Sequence, residues 1–175
     1  PFTRGLAGSM DFTPGIFNFT NKVLPDTHPQ TTLAKQLAEY VLLYSPWQMA
    51  ADMIENYEHQ PAFSFVESVP TDWEKTVVVN AKIGNYITIA RKDKASDDWY
   101  VGSATDVDAR DLSIDLSFLD KDREYMAEVY ADGPGADFRS NPYPLMYQRI
   151  KVTYASSLRL HLAPSGGAAV RIKAL

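Results

Sequence analysis

The spacing of apolar residues changes near Trp73, and this change divides the chain into two parts. Before Trp73, apolar residues form continuous runs or recur at every third or fourth position, as they do in buried strands and amphipathic helices. After Trp73 they recur at every second position along most of the remaining chain, which is typical of strands with one buried face. The pattern therefore predicts two domains, residues 1–72 and residues 73–175.

The second part has a series of short segments with the spacing of antiparallel strands. The clearest is residues 112–118, where apolar and polar residues alternate strictly, so that one face is buried and the other is wet. Turn-forming pairs such as Asp132-Gly133 and Asn141-Pro142 separate the segments. The segments predict an all-β antiparallel sandwich. Its strands are expected at residues 76–79, 86–90, 99–102, 112–118, 124–130, 149–154, 158–162 and 168–172.

Two apolar runs in the first part have the length of buried strands, and each leads to an acidic residue. Residues 5–10 lead to Asp11 and the turn pair Pro14-Gly15, and residues 47–51 lead to Asp52. If both strands lie parallel in one sheet, both carboxylates emerge at its carboxyl end, where barrel enzymes bind substrate. An ordinary strand followed by a turn remains the alternative for the first run.

Helical patterns follow each of these runs. Thr31 or Thr32 can serve as the N-cap of a helix with one apolar stripe over residues 33–42. A second, shorter helix is expected between Pro61 and Pro70, with Phe63, Val66 and Val69 facing inward. The order strand, helix, strand, helix predicts part of an α/β barrel.

Several longer motifs resemble those of glycoside hydrolase family 97. The opening PFTRGLAGSMDFTPG is similar to the family pattern PFTR-x-LAGPMDYTPG, with Ser9 in place of the usual Pro and Phe12 in place of the usual Tyr. The resemblance covers essentially the whole chain. It continues at residues 31–38, 44–52, 55–58 and 162–167.

The resemblance implies a fold and an activity. The expected fold is an α+β composite, in which the last two β/α units of a (β/α)8 barrel precede the sandwich, as a carboxy-terminal piece of a larger enzyme. The expected activity is hydrolysis of terminal α-linked glucose, or galactose, and α-glucosidase is the commoner assignment. The resemblance further implies calcium dependence and a periplasmic or secreted location for the whole enzyme. The residues present do not choose between an inverting and a retaining mechanism.

The resemblance implies no catalytic and no metal-binding residue in this chain. The family's catalytic and calcium-binding glutamates lie upstream of the PFTR motif, so we expect the chain alone to be inactive. Contact with an α-linked oligosaccharide is the role that its residues could still serve, because carboxylates and a neutral imidazole can hydrogen-bond sugar hydroxyls. We predict substrate-binding roles for Asp11, Phe12, Thr13, His28 and Asp52.

Three alternatives stay open. The acids Asp11 and Asp52 could instead cap a helix or pair with Arg4. The chain could be a non-catalytic structural or carbohydrate-binding domain. It could also be a small self-contained enzyme that uses both acids, which requires their carboxyl groups to lie within about 10 Å across a formed pocket.

Aromatic residues favour packing over sugar stacking. Trp47, Trp73, Trp99 and Tyr100 could stack on sugar rings, but most aromatic residues lie in cores or domain interfaces. Trp73, at the boundary, is predicted to wedge between the two parts.

Composition excludes several other partners. The net charge is −5 and the basic residues are not clustered, so binding to nucleic acid is not expected. No apolar run approaches the roughly 20 residues that cross a membrane, and the chain has no cysteine. Two strands cannot close a barrel, so we expect the missing upstream part to cover their edges. Self-association through exposed strand edges is a further possibility.

Overall fold

The computed structural model describes residues 1–24 and 27–175, and it shows an antiparallel β-sandwich in the second part of the chain. The eight strands are β1 (Trp73–Lys82), β2 (Tyr86–Asp93), β3 (Trp99–Thr105), β4 (Arg110–Asp115), β5 (Tyr125–Asp132), β6 (Leu145–Val152), β7 (Ser157–Leu162) and β8 (Gly167–Ala174). One sheet has six strands in the order β1-β2-β3-β8-β5-β6, and the other pairs β4 with β7.

The predicted sandwich is confirmed, and each predicted strand overlaps an observed one. The alternation at residues 112–118 arises, as expected, because one face of this segment is buried and the other is exposed. Ile114 and Leu116 are fully buried between the sheets, whereas Ser113, Asp115 and Ser117 face solvent. Both sheets contribute side chains to the core between them, and most of these side chains are aliphatic. Members of this core include Val101, Val129, Val170, Ile172, Leu158, Leu160 and Leu162.

A ten-residue helix covers the outer face of the six-stranded sheet. This helix, α1 (Leu33–Leu42), begins after Thr32, whose hydroxyl accepts a hydrogen bond from the Lys35 N–H at 3.3 Å. The predicted helix and its N-cap are therefore confirmed. All apolar residues of its stripe are buried, and Leu37 and Val41 pack against aromatic and small side chains of β3, β5 and β8. The first part and the sandwich thus share a second core.

Two short helices follow, α2 (Ile54–Tyr57) and α3 (Phe63–Ser68). The predicted helix before Pro70 is confirmed in α3, but the prediction of its buried face is wrong in part. Phe65 is the fully buried residue, and the three residues expected to face inward are only half-buried. The reason lies in the aromatic side chains of the sheet, since the Phe65 ring packs edge-on against those of Tyr100 and Tyr130 at 6.1 and 5.6 Å.

The two strands predicted in residues 1–72 are wrong for this chain. Residues 4–7 form a 3-10 helix, and residues 47–51 are irregular. A parallel strand requires neighbouring strands to satisfy its backbone groups. In the described residues the two segments share only isolated backbone hydrogen bonds, Met10 N–H to the Tyr44 carbonyl and Ala51 N–H to the Pro14 carbonyl, and no strand forms a ladder with either of them. The two barrel units are therefore not formed as strands here.

The close contact between α1 and the sheet depends on glycine in β3, which gives a test of this packing. A Cβ at Gly102 would lie 2.6 Å from the Ala38 carbonyl oxygen and 3.0 Å from the Val41 Cβ. We expect Gly102→Ala to lower the free energy of unfolding by about 2 kcal/mol, because overpacking of a tight core displaces the helix. Urea denaturation measures the change.

Gly5→Ala is the matched control, since no atom lies within 4 Å of the Cβ it would add. We expect its unfolding midpoint to equal that of the unchanged chain. Equal stability of the Gly102 and Gly5 variants would contradict the described contact between α1 and β3.

Candidate functional site

Most of the predicted site residues lie on two extended segments, residues 9–18 and 47–53, which run side by side. The Met10 N–H donates to the Tyr44 carbonyl and the Ala51 N–H donates to the Pro14 carbonyl, both at 3.0 Å. From Met10 to Pro14 the bonded partner changes from Tyr44 to Ala51, so residue numbers increase in the same direction on both sides and the two segments are parallel.

Helix α1 holds the first of these segments through polar side chains. The Gln36 amide oxygen accepts hydrogen bonds from the N–H groups of Gly15 and Ile16, both at 2.9 Å. The Tyr40 hydroxyl donates to the Pro14 carbonyl at 3.1 Å. Gly15 has a φ of 91°, and a Cβ there would collide with the Tyr40 hydroxyl, so only glycine fits. The predicted turn at Pro14-Gly15 is wrong, because residues 11–20 contain neither a turn nor a bend and the chain continues through Gly15 to Asn18.

Asp52 binds the two segments together. One carboxylate oxygen accepts from the N–H groups of Phe17 and Asn18 at 2.8 and 2.7 Å. The other accepts from the Met53 N–H at 2.8 Å and from the Asn56 side-chain amide at 2.6 Å. Partial burial raises the pKa of Asp52, but these hydrogen bonds outweigh it and hold the pKa below its ordinary value. Both oxygens are therefore engaged in structural bonds.

Tyr57 completes this junction. Its hydroxyl accepts from the Asp52 N–H and donates to the Gly15 carbonyl, both at 2.7 Å. Its ring is buried against those of Phe17 and Phe63, at centroid distances of 5.0 and 4.6 Å. The hydrogen bonds and the aromatic contacts together fix the carboxyl ends of the two segments.

Asp11 lies in a different environment from Asp52. Its side chain is exposed and lines an open pocket of about 430 Å³ with Arg4, Trp47 and Met49, but not with Asp52. It has no hydrogen-bond partner in residues 1–24 and 27–175. The stagger of the segments explains the separation, because Asp11 is level with the start of the second segment and Asp52 with the end of the first. The hypothesis of two acids facing each other across one pocket finds no support.

The other predicted sugar contacts are scattered. His28 is half-buried, its Nδ1 lies 3.0 Å from the Pro29 carbonyl, and it lines a separate hollow beside Asn18. Phe12 and Thr13 are half-buried and line neither pocket. The substrate-binding roles of these residues, and of Asp11 and Asp52, stay predictions.

The aromatic residues divide between packing and exposure. Trp99 is buried, and Trp73 packs edge-on against the Tyr100 ring at 5.7 Å, as a wedge between the first part and the sheet. Trp47 is 76% exposed beside Asp11, so the expectation that it packs in a core is wrong for this chain.

Exposed apolar side chains are concentrated in the first part. More than half of the large ones in the described residues belong to residues 1–54, including Leu6, Trp47, Met53 and Ile54. Trp47 and Met49 line one pocket together with Met10, so at least these apolar groups adjoin.

A polar junction fastens the first part to the sandwich, and sequence analysis missed it. The Asp132 carboxylate is buried and accepts from the N–H groups of Ala163 and Gly167, both at 2.8 Å. The Lys35 ammonium donates to the Ser165 hydroxyl at 3.2 Å, which donates to the Gln30 carbonyl at 2.6 Å. Burial raises the pKa of Asp132 and lowers that of Lys35. Residues 162–167 (LAPSGG) thus have a structural role.

The described residues offer no group of three or more His, Cys, Asp or Glu side chains that could hold a metal ion. None of their helices is long and apolar enough to span a membrane.

Comparisons with known proteins agree over the whole chain. The family model described as "Glycosyl-hydrolase 97 C-terminal, oligomerisation" matches residues 72–173. The solved structure of a glycoside hydrolase family 97 enzyme from Pseudoalteromonas sp. strain K8 in complex with panose is 47% identical, with a TM-score of 0.92. The match covers 98% of this chain and 27% of that one. A structure of an enzyme from the same source with acarbose matches equally well.

Two other relatives carry different activities in their names. A retaining alpha-galactosidase of Bacteroides thetaiotaomicron is 36% identical over 184 residues, which is 99% of this chain and 26% of the relative. A beta-arabinopyranosidase structure is 26% identical with a TM-score of 0.78, covering 96% of this chain and 26% of that one. The chain thus spans about a quarter of the length of the relatives it matches.

The four hydrogen bonds to Asp52 give a test of the junction. We expect Asp52→Asn to lower the free energy of unfolding by about 1–2 kcal/mol at pH 7, because an amide cannot accept all four bonds. The folded-state pKa lies below 3.8, so the ionised carboxylate stabilises the fold above that value. The difference between the two proteins should therefore shrink as the pH falls below about 4, and urea denaturation at several pH values measures it.

Asp11→Asn is the control for charge removal, because the Asp11 carboxylate is exposed and unbonded among the described residues. We expect this variant to have the same free energy of unfolding as the unchanged chain, both at pH 7 and below about pH 4. An Asp52 variant as stable as the Asp11 variant at pH 7 would contradict the junction.

Proposed function

Because the chain belongs to glycoside hydrolase family 97, we propose that it is the carboxy-terminal part of an enzyme that releases terminal α-linked glucose from oligosaccharides. In this proposal the first part completes the catalytic barrel and the sandwich supports it from outside. The catalytic groups lie in the upstream part, and the chain alone is inactive.

The pair of parallel extended segments, residues 9–18 and 47–53, is the observation that supports this proposal most strongly. Side chains of α1 and Asp52 bind part of their backbone, while Trp47 and Met53 on the second segment are exposed. Neighbouring strands of a barrel would cover these side chains and supply the missing backbone partners. The segments would then be the last two strands, with their carboxyl ends at the substrate-binding face.

In this arrangement Asp52 and Tyr57 act as positioning residues. They hold Gly15, Phe17 and Asn18 at the carboxyl end of the seventh strand, where a barrel enzyme binds its substrate. Asp11 lies near the amino end of the first segment, away from this face, so a sugar contact of its exposed carboxylate requires a substrate that extends into the pocket it shares with Trp47.

Glucose is proposed ahead of galactose on the evidence of relatedness. Panose, an oligosaccharide of α-linked glucose units, is bound by the relative with 47% identity, whereas the alpha-galactosidase shares 36%. We further propose that calcium is held by the upstream part of the enzyme, since the described residues form no metal-binding cluster. The periplasmic or secreted location stays a prediction.

A second function, assembly, is proposed for the sandwich. The family model that matches residues 72–173 is described by the word oligomerisation, and the outer strands β1 and β6 of the large sheet are open edges. A carbohydrate-binding role for the sandwich is the alternative. Binding of maltose-type oligosaccharides to the 175-residue chain, without self-association, would favour that alternative.

A chimera tests the proposed enzymatic role. In the Pseudoalteromonas sp. strain K8 enzyme, the matching carboxy-terminal quarter is replaced by this chain. We expect the chimera to hydrolyse panose with kcat/KM within about tenfold of the unmodified enzyme, because the barrel strands and the packing are equivalent. The 175-residue chain alone is expected to show no turnover.

The direct role of Asp11 is tested in the same chimera. We expect Asp11→Asn to lower kcat/KM for panose about tenfold if its carboxylate binds a sugar hydroxyl, and Glu58→Gln, an exposed carboxylate elsewhere in the first part, to have no effect. A folded chimera without activity, or turnover by the chain alone, would contradict the proposed function.

A further inference from the structure

The sandwich has four strand edges, and they differ in how open they are to another chain. Both strands of the small sheet and the outer strands β1 and β6 of the large sheet lack a partner on one side among the described residues. An open edge presents unpaired N–H and C=O groups to another strand unless the edge is irregular, charged or covered.

Two of the three edges other than β6 are blunted, and the third borders a groove. Strand β1 has irregular register between Trp73 and Lys75 and again between Val78 and Asn80, which twists an edge away from pairing. The Asn80 side-chain amide donates to the Ser113 carbonyl of β4 at 3.2 Å, so β4 lies against β1. The free edge of β7 borders a groove of about 340 Å³, and residues of β6 line the other side of this groove.

Strand β6 is the regular and exposed edge. It pairs with β5 in unbroken register from Leu145 to Val152. Residues 147–151 are all exposed, and they include two large side chains, Tyr147 at 48% and Ile150 at 37% exposure. Arg149 and Lys151 put two positive charges on this edge, so it suits a partner strand that places no positive charge opposite them, and its length and unbroken register otherwise favour pairing.

The sequence of β6 is complementary to itself in one antiparallel register. With Gln148 opposite the Gln148 of a second copy, Met146 faces Ile150 on the inner side of the sheet, and Tyr147 faces Arg149 on the outer side. The first pair is apolar and the second is a cation–π pair, both favourable across strands. The register centred on Arg149 would instead place two like charges opposite each other, which is unfavourable.

The outer-face side chains are already positioned for this pairing. The Tyr147 ring packs against the Tyr130 ring at 5.0 Å, which restricts its motion. The Arg149 guanidinium is 59% exposed and lies 3.7 Å from the Glu128 carboxylate, so it retains donors and a face for a partner ring. Little side-chain freedom of Tyr147 would be lost on association.

We propose that two copies of this chain associate by antiparallel pairing of their β6 strands about a two-fold axis at Gln148, which joins the two large sheets into one. The inference rests on the proposed assembly function and names its surface. The pairing is isologous, since each residue of one copy meets the symmetry-related residue of the other. An interface of one strand per copy is small, so the expected dimer dissociates in the micromolar range.

Charge placed at the two-fold axis tests the register. Sedimentation velocity is measured for the 175-residue chain and for its Gln148→Glu and Gln148→Lys variants, each alone and mixed. We expect each variant alone to dimerise about tenfold more weakly, because like charges then face each other, and the mixture to recover the original affinity or exceed it. Ser113→Glu, on the exposed face of β4, is the matched control and should leave dimerisation unchanged.

A disulfide gives a second readout that does not depend on affinity. The chain has no cysteine, so Gln148→Cys introduces a single thiol. Residues directly opposite in an antiparallel pair have Cβ atoms about 5 Å apart, close to disulfide geometry. We expect oxidation to convert Gln148→Cys largely to a covalent dimer that is recognised by non-reducing electrophoresis, and Ser113→Cys to stay mostly monomeric.

The outcomes separate the inference from the function on which it rests. If the chain dimerises but the Gln148 variants neither weaken it nor rescue each other, the proposed surface is wrong and the assembly function stands. If the chain is monomeric at all concentrations up to the millimolar range and Gln148→Cys does not crosslink, both are overturned. Dimerisation that is lost in Trp47→Ser, and kept in both Gln148 variants, would assign association to the first part and overturn the inference.

Discussion

The contact between α1 and the six-stranded sheet is the constraint on which both parts of the molecule depend. One face of the helix packs so closely on β3 that only glycine fits at position 102. The polar side chains Gln36 and Tyr40 of the same helix reach the opposite way and hold the backbone at Pro14 and Gly15. The sandwich therefore fixes the helix, and the helix fixes the extended segments that we assign to the barrel.

The eight strands of the sandwich could be predicted because antiparallel strands with one buried face leave a local pattern. At residues 112–118 every second side chain enters the core, and the pattern alone places the strand. Helix α1 could also be predicted, from its apolar stripe and from its N-cap residue. Both signals are contained within a few consecutive residues, and the same residues make the contacts.

The extended segments could not be predicted in the same way. A short apolar run has the same composition whether it pairs with neighbouring strands or is held by side chains, and the donors and acceptors that decide this lie elsewhere in the chain. Asp52 binds N–H groups at Phe17 and Asn18, and Gln36 binds those at Gly15 and Ile16. No local pattern indicates these partners, so the role of Asp52 in joining the two segments could not be predicted.

The motifs that carry the family resemblance have structural roles. Gly15 of the first motif avoids Tyr40, Asp52 of the second joins the two segments, and the loop of residues 162–167 wraps the buried carboxylate of Asp132. The first two contacts fix the segments of the first part on each other and on α1, and the third fixes a loop of the sandwich.

The central claim is that residues 9–18 and 47–53 are barrel strands that lack their neighbours in this chain. Amide hydrogen exchange over residues 11–13 and 48–50, whose N–H groups have no partner among the described residues, tests it, measured in the 175-residue chain and in the chimera with the upstream part of the Pseudoalteromonas sp. strain K8 enzyme. The account predicts fast exchange in the chain and exchange at least a hundredfold slower in the chimera, because adjacent strands then bind these groups. Equally fast exchange in a folded, active chimera, or protection already present in the chain, would contradict it.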